Sequence, residues 1–264
     1  MALLSLYFRE PDGDLLEVAT KGPGWWNRFP ATPQKPEALT SADRFARLVM
    51  SGPNLAPGDF VYRCVPSDSG NPITLLLLHG TGGSENDLLD LGSNLLPGAS
   101  LLSPRGKVLE NRAPRFFRRF AEGVFDVNDL VNRTEELAGF VEKAVAEHRL
   151  GKQVVAVGYS NGANIASSLL LLRPRLLAGA VLLRPMVPFT MEVAPDLSGV
   201  RVLIEAGSKD IIVPRDHPEA LAALFRRGGA DVTLQWQETG HQLSHNDVEE
   251  ATKWLSGFSD SLAH

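Results

Sequence analysis

Cysteine is almost absent from this sequence: Cys64 is the single thiol among 264 residues. One thiol excludes an intramolecular disulfide and gives no sign of an oxidising compartment. Cys64 lies in the alternating run Phe60-Val61-Tyr62-Arg63-Cys64-Val65, far from any histidine motif, so it reads as a packed side chain rather than a nucleophile. Long hydrophobic runs are missing too. No segment reaches the ~18 apolar residues of a membrane span, and residues 1–10 lack a basic head leading into an apolar stretch. A cytoplasmic location and no membrane partner are therefore expected. Positive charge is not in excess: 26 Lys+Arg against 31 Asp+Glu leave a formal charge of -5, which provides no electrostatic footprint for nucleic acid.

What is present is a βα alternation. From Ile73 onward short apolar runs (Ile73–Leu78, Leu101–Ser103, Val154–Val157, Ala178–Leu183, Val200–Ala206, Val232–Trp236) alternate with helical patterns (Asn86–Leu96, Val127–His148, Gly162–Leu172, Arg215–Arg227, Ser244–Leu255). Most of the runs are continuously apolar, as strands buried on both faces must be. The fold class expected is α/β, a mostly parallel central sheet with helices on both faces. Residues 20–57 are rich in Pro and Gly, with one short helical pattern at Ser41–Met50. They read as a linker, dividing the chain into an extension over 1–57 and a catalytic domain over 58–264.

Gly158-Tyr159-Ser160-Asn161-Gly162 is a G-x-S-x-G sequence directly after an apolar strand and directly before an apolar helix. Glycines on either side leave room for a sharp strand-to-helix turn that lifts a serine hydroxyl above the sheet. The competing reading is a serine that merely caps the helix. A nucleophilic serine also needs a base, and the base needs an orienting carboxylate. Asp210 follows the strand Val200–Ala206 and His241 follows Val232–Trp236, so the order Ser, Asp, His falls at the carboxyl ends of successive strands, where open α/β sheets collect their reacting groups. Rivals are less well placed: Glu205 lies within a strand, Asp216 near the next helix, and His217, His245, His148 and His264 lie away from such loops.

His79-Gly80-Thr81-Gly82-Gly83 follows another apolar strand. Its glycines let the backbone come close enough for the Thr81 N–H to join the Asn161 N–H in an oxyanion hole. His79 itself reads as a hydrogen-bonded structural residue. The run Arg112–Phe120 mixes basic and aromatic residues and reads as a solvated helix face with its aromatics packed inward, with a second use as pocket wall or lid. Arg184–Phe189, after another strand, is a further pocket candidate. With neighbours of the reacting residues added, the expected pocket set is Gly82, Tyr159, Met186, Val187 and Ile211.

These motifs together (Leu77–Gly83, Ser103–Gly106, Gly158–Asn164, Leu182–Pro188, Asp210 with Val213-Pro214, Gly240-His241) resemble the phospholipase/carboxylesterase family, and within it bacterial esterases similar to dienelactone hydrolase. The resemblance implies an α/β-hydrolase with no cofactor and no metal that cleaves small carboxylic esters or thioesters. It carries over Ser160, Asp210 and His241 as triad, with Thr81 and Asn161 as oxyanion donors. Dienelactone hydrolases proper use a cysteine where this chain has Ser160. The expected partner is a small ester, with a homodimer kept open. Residues 6–18 read as two strands about an Asp-Gly turn and resemble the last hairpin of vicinal-oxygen-chelate proteins (glyoxalases and extradiol dioxygenases), in which the position of Glu17 is a metal ligand. Without the other ligands this reads as a fusion remnant or a mis-assigned start. Alternatives to the esterase are a thioesterase or lysophospholipase, part of a metal-dependent ring-cleaving dioxygenase system, and a non-catalytic hydrolase-like binding protein.

Overall fold

The computed structural model describes residues 6–9, 15–18 and 60–261. The linker and its helical pattern at Ser41–Met50 lie outside the described residues, as does the Glu17 side chain. Strands β1 (Leu6–Arg9) and β2 (Leu15–Val18) pair antiparallel, Leu6 opposite Val18.

The elements that follow are β3 (Tyr62–Val65), β4 (Ile73–Leu78), α1 (Leu89–Leu95), β5 (Ser100–Pro104), β6 (Val108–Glu110), β7 (Ala113–Arg115), β8 (Arg119–Ala121), β9 (Val124–Phe125) and α2 (Val127–Glu147). The chain then runs through β10 (Gln153–Tyr159), α3 (Asn161–Leu172), β11 (Gly179–Leu183), β12 (Arg201–Gly207), α4 (Asp216–Arg227), β13 (Asp231–Gln237) and α5 (His245–Ser261). Seven strands form one sheet in the order β13-β12-β11-β10-β4-β5-β3, parallel except for β3 against β5. Because β4, β10, β11, β12 and β13 are neighbours running the same way, the loops after them open side by side at one edge.

Burial explains why the apolar runs form the sheet's centre. All six residues of β4 are buried, and two core layers lie on opposite faces of the sheet. One contains Leu76, Ala156, Leu182 and Ile204, the other Leu75, Val155, Val181 and Leu203, which is the period-two alternation of strands covered on both sides. The alternating run at 60–65 forms the edge strand β3, and Cys64 packs partly buried against the first layer, its thiol pushed up to about 11 by burial. A thiol raised in this way forms little thiolate at neutral pH. Helix α2 starts where Asp126 caps it, its carboxylate accepting the Asp129 N–H, and it buries Leu130, Leu137, Ala138 and Val141 at helical spacing. Helix α3 is buried at eleven of its twelve positions, in agreement with its apolar sequence.

One expectation is corrected. The basic-aromatic run Arg112–Phe120 is not a helix face: it spans parts of two antiparallel hairpins, β6–β7 and β8–β9. The first turns at Asn111 (φ 49°) and Arg112 (φ 70°), both left-handed, the conformation of a two-residue hairpin turn. Phe116 and Phe117 are buried, as is Arg115, while Arg118 and Arg119 pair with the carboxylates of Asp126 and Glu110.

Candidate active site

Ser160 stands at the end of β10 with φ 50° and ψ −112°, a conformation that costs a non-glycine residue on the order of 1–3 kcal/mol. Tight packing holds it there. Its N–H donates to Leu183 O (2.9 Å) and its carbonyl accepts the Asn164 N–H (3.0 Å). A Cβ on Gly162 would lie 2.0 Å from Leu78 O, and one on Gly158 2.6 Å from Gly162 O, so neither flanking position admits a side chain. The helix that follows buries Leu169 and Leu170 completely, and each buried leucine contributes about 1.5–3 kcal/mol, enough to offset the strain.

Ser160 Oγ lies 2.9 Å from His241 Nε2, and His241 Nδ1 lies 2.8 Å from Asp210 Oδ2. The hydrogen atoms are assigned from this geometry: Nδ1–H donates to the carboxylate, leaving Nε2 free to accept from the serine hydroxyl. The Asp210 side chain is 1% exposed, and its second oxygen accepts the N–H groups of Ile212 (2.8 Å) and Val213 (3.1 Å). Burial by itself raises the carboxyl. The hydrogen bond and charge of His241 and the two backbone donors outweigh it and hold Asp210 below the usual carboxylate range. The rival Glu205 sits within β12, 0% exposed, with one oxygen accepting from Gln237 Nε2 (3.1 Å) and the other without a partner among the described residues. It does not meet the histidine.

Burial pushes Glu205 from 4.5 to about 8, with Asp247 adding to the rise and Gln237 and Arg184 opposing it. Between those values an unfolded chain ionises this carboxyl while the folded protein keeps its proton. The folded state then binds more protons, so stability falls as pH rises through that window. Wild type is expected to lose on the order of a few kcal/mol relative to Glu205→Gln between pH 5 and pH 8 in urea unfolding. Parallel pH profiles for the two proteins would contradict an un-ionised Glu205.

The two N–H groups proposed for an oxyanion, Thr81 and Asn161, make no hydrogen bond to another described residue. Both are braced by the β6–β7 hairpin. Arg115 Nη1 donates to Thr81 Oγ1 (2.7 Å), Gly82 N–H to Pro114 O (2.9 Å), and Phe116 N–H to Asn161 Oδ1 (2.7 Å). His79 is buried and neutral in role: Nδ1–H donates to Gly80 O (2.6 Å), Nε2 accepts the Gly106 N–H (2.9 Å), and burial lowers its pKa.

The histidine loop has an anchor that its sequence does not advertise. Arg184, at the end of β11 with φ 57°, is fully buried and paired with fully buried Asp247 through both terminal nitrogens (2.7 and 2.8 Å). Its guanidinium also donates to Gly240 O, Thr239 Oγ1 and Gln242 O, on both sides of His241. Tyr159 adds a hydroxyl donor to His241 O (3.2 Å), its phenol kept neutral because burial raises it. A buried charge is tolerated when its donors are satisfied in this way.

A cavity of about 170 Å³ opens over Ser160 and His241. Of the pocket residues expected from sequence, Tyr159 and Met186 line it, with Thr81 and Asn161. Gly82 does not line it: it is exposed, with its N–H bonded to Pro114 O. Val187 faces the core, its N–H donating to His217 Nδ1 (3.1 Å). Ile211 is 95% exposed. The turn that Asp210 makes onto the N–H groups two and three residues on throws Ile211 outward and presents Ile212 and Val213 to the cavity. Arg115 and Arg119, from the run read as a second pocket wall, line the cavity from the hairpins, together with Glu110, which the sequence reading passed over.

The sequence profile of the phospholipase/carboxylesterase family matches residues 63–259. The Bacillus subtilis (strain 168) protein MhqD, named as a hydrolase, is 50% identical over 181 residues, 68% of this chain and 90% of its own length. The crystal structure of the Bacillus cereus carboxylesterase superposes with a TM-score of 0.72 at 46% identity, covering 74% of this chain and 92% of that one. The Mesorhizobium loti carboxylesterase gives 0.73 at 33% identity, covering 78% and 100%. With its sheet topology, its strand-to-helix serine turn and these likenesses, the chain belongs to the phospholipase/carboxylesterase family of α/β-hydrolases.

Proposed function

We propose that the protein hydrolyses small carboxylic esters through an acyl-enzyme on Ser160. The observation that carries this reading is the unbroken hydrogen-bonded chain from Ser160 Oγ through His241 to Asp210, at 2.9 and 2.8 Å. In it, Nε2 of His241 takes the serine proton as Oγ bonds to the ester carbonyl carbon. The carbonyl oxygen becomes an oxyanion, received by the N–H groups of Thr81 and Asn161. His241 then returns the proton to the departing alkoxide, which leaves as alcohol. A water molecule, deprotonated by the same nitrogen, attacks the acyl-enzyme, and collapse releases the acid and restores Ser160. Asp210 holds the imidazole in the required tautomer and offsets its transient positive charge.

Cavity size supports a short acyl group: about 170 Å³ falls below the ~300–1,000 Å³ of sites for drug-sized ligands. On p-nitrophenyl acetate, butyrate and decanoate, kcat/KM is expected to be highest for acetate or butyrate and lower by about tenfold or more for decanoate, since a chain longer than the cavity holds must displace its lining, and such overpacking costs about 1–3 kcal/mol. A decanoate preference would turn the reading toward long-chain acyl substrates.

A further inference from the structure

The hairpins bring four charged side chains to the cavity wall that a pocket for simple alkyl esters does not need: Glu110, Arg115, Arg119 and Glu122. They are not equivalent. Arg119 donates to both oxygens of Glu110 (2.8–3.1 Å) and pairs with Glu122, so both acids already have a cation. These three side chains are 16%, 31% and 40% exposed and form the rim. The Arg115 side chain is 3% exposed and lies deeper. Its share of Glu110 is one contact at 3.3 Å to an oxygen that Arg119 also holds. Its Nε donates to Phe117 O (3.3 Å) and its Nη1 to Thr81 Oγ1 (2.7 Å). Nη2 has no acceptor among the described residues. On the same wall the Asn161 amide nitrogen is buried without an acceptor as well.

Building on the esterase reading, we infer that Arg115 is an anion-recognition residue, and that the preferred substrate is a small ester carrying a carboxylate that docks on its guanidinium. The inner wall offers donors in excess of acceptors, and the donor with free N–H groups is a buried cation that its neighbours leave incompletely neutralised. Burial first, and repulsion from Arg119 second, draw Arg115 down to about 10 against the pull of Glu110 and Glu122. It stays charged at neutral pH but gains from any anion brought beside it. A planar, two-nitrogen donor suits a carboxylate, and the bond from Nη1 to Thr81 places that recognition next to one of the proposed oxyanion donors. A half-ester of a short dicarboxylic acid has both the size and the charge.

The test compares methyl hydrogen succinate with its neutral isostere methyl succinamate, followed by acid release, on wild type, Arg115→Met and Arg115→Lys. Wild type should favour the charged ester in kcat/KM by roughly ten- to a hundredfold, the range of a charge-assisted hydrogen bond. The ratio should fall to about one in Arg115→Met and be partly kept in Arg115→Lys. If Arg115 only braces Thr81, both esters slow together and the ratio is unchanged, which overturns the inference. So does a wild type that prefers the neutral ester. Should Arg115→Met not fold, competition on wild type decides: succinate should inhibit p-nitrophenyl acetate turnover competitively while succinamide does not, and equal inhibition or none by both refutes the anion site. Turnover of p-nitrophenyl acetate separates the two readings. If it proceeds without a carboxylate preference, only the anion site falls; if it is absent, the esterase reading falls with it.

Discussion

Ser160→Ala is expected to lower kcat for p-nitrophenyl acetate by about five to six orders of magnitude while the protein keeps its fold. Removing the hydroxyl leaves His241 with no nucleophile to activate, and only the binding and oxyanion contributions remain, as in serine enzymes whose triads act as a unit. The loss corresponds to about 7–8 kcal/mol of transition-state stabilisation. Stability should change by about 1 kcal/mol or less, because the substitution deletes a single hydrogen bond and leaves the backbone bonds from residue 160 to Leu183 and Asn164 in place. Thermal unfolding of both proteins beside the rate measurement separates lost chemistry from lost fold. A variant that is folded and within tenfold of wild type would contradict a nucleophilic Ser160.

Asp210→Asn is expected to cost about 10⁴ in kcat, for a reason visible in its hydrogen bonds. One carboxylate oxygen accepts two backbone N–H groups, those of Ile212 and Val213, and the other accepts from His241 Nδ1. An asparagine must turn its only oxygen toward the two backbone donors, which points its NH₂ at the imidazole. Nδ1 then has to accept, the ring proton moves to Nε2, and Nε2 can no longer take the proton of Ser160. Because this is a change of tautomer and not of shape, KM should stay within a few-fold and the fall should appear in kcat. A drop of less than tenfold, with the variant folded, would mean that Asp210 does not orient the base.

The parallel strands were legible in the sequence because burial on both faces leaves continuous apolar runs, and β4, β10 and β12 fall within a residue or two of those runs. The residues gathered at the sheet's carboxyl edge were legible for a related reason. Once the strands are known, parallel topology decides which loops share an edge, so Ser160, Asp210 and His241 could be brought together from chain order alone. The hairpins over residues 108–125 were not legible. Their strands are two or three residues long, and the first turns through Asn111 and Arg112 in left-handed conformations without a glycine to mark them. The pocket was misjudged at Ile211 for an equally local reason, since a side-chain turn at Asp210 decides which of two adjacent isoleucines faces inward. Arg184 was read as a pocket residue and does line the cavity, but its main side-chain contacts are with residues 55 to 63 positions away, a clamp that only the folded chain reveals.

The most direct test of the account is to treat wild type and Ser160→Ala with a fluorophosphonate, weigh the intact proteins and map the modified peptide. One adduct on wild type, on the peptide containing Ser160 and absent from the variant, is the predicted result. An adduct on another residue, or an unlabelled wild type that still hydrolyses esters, would contradict an acyl-enzyme at Ser160.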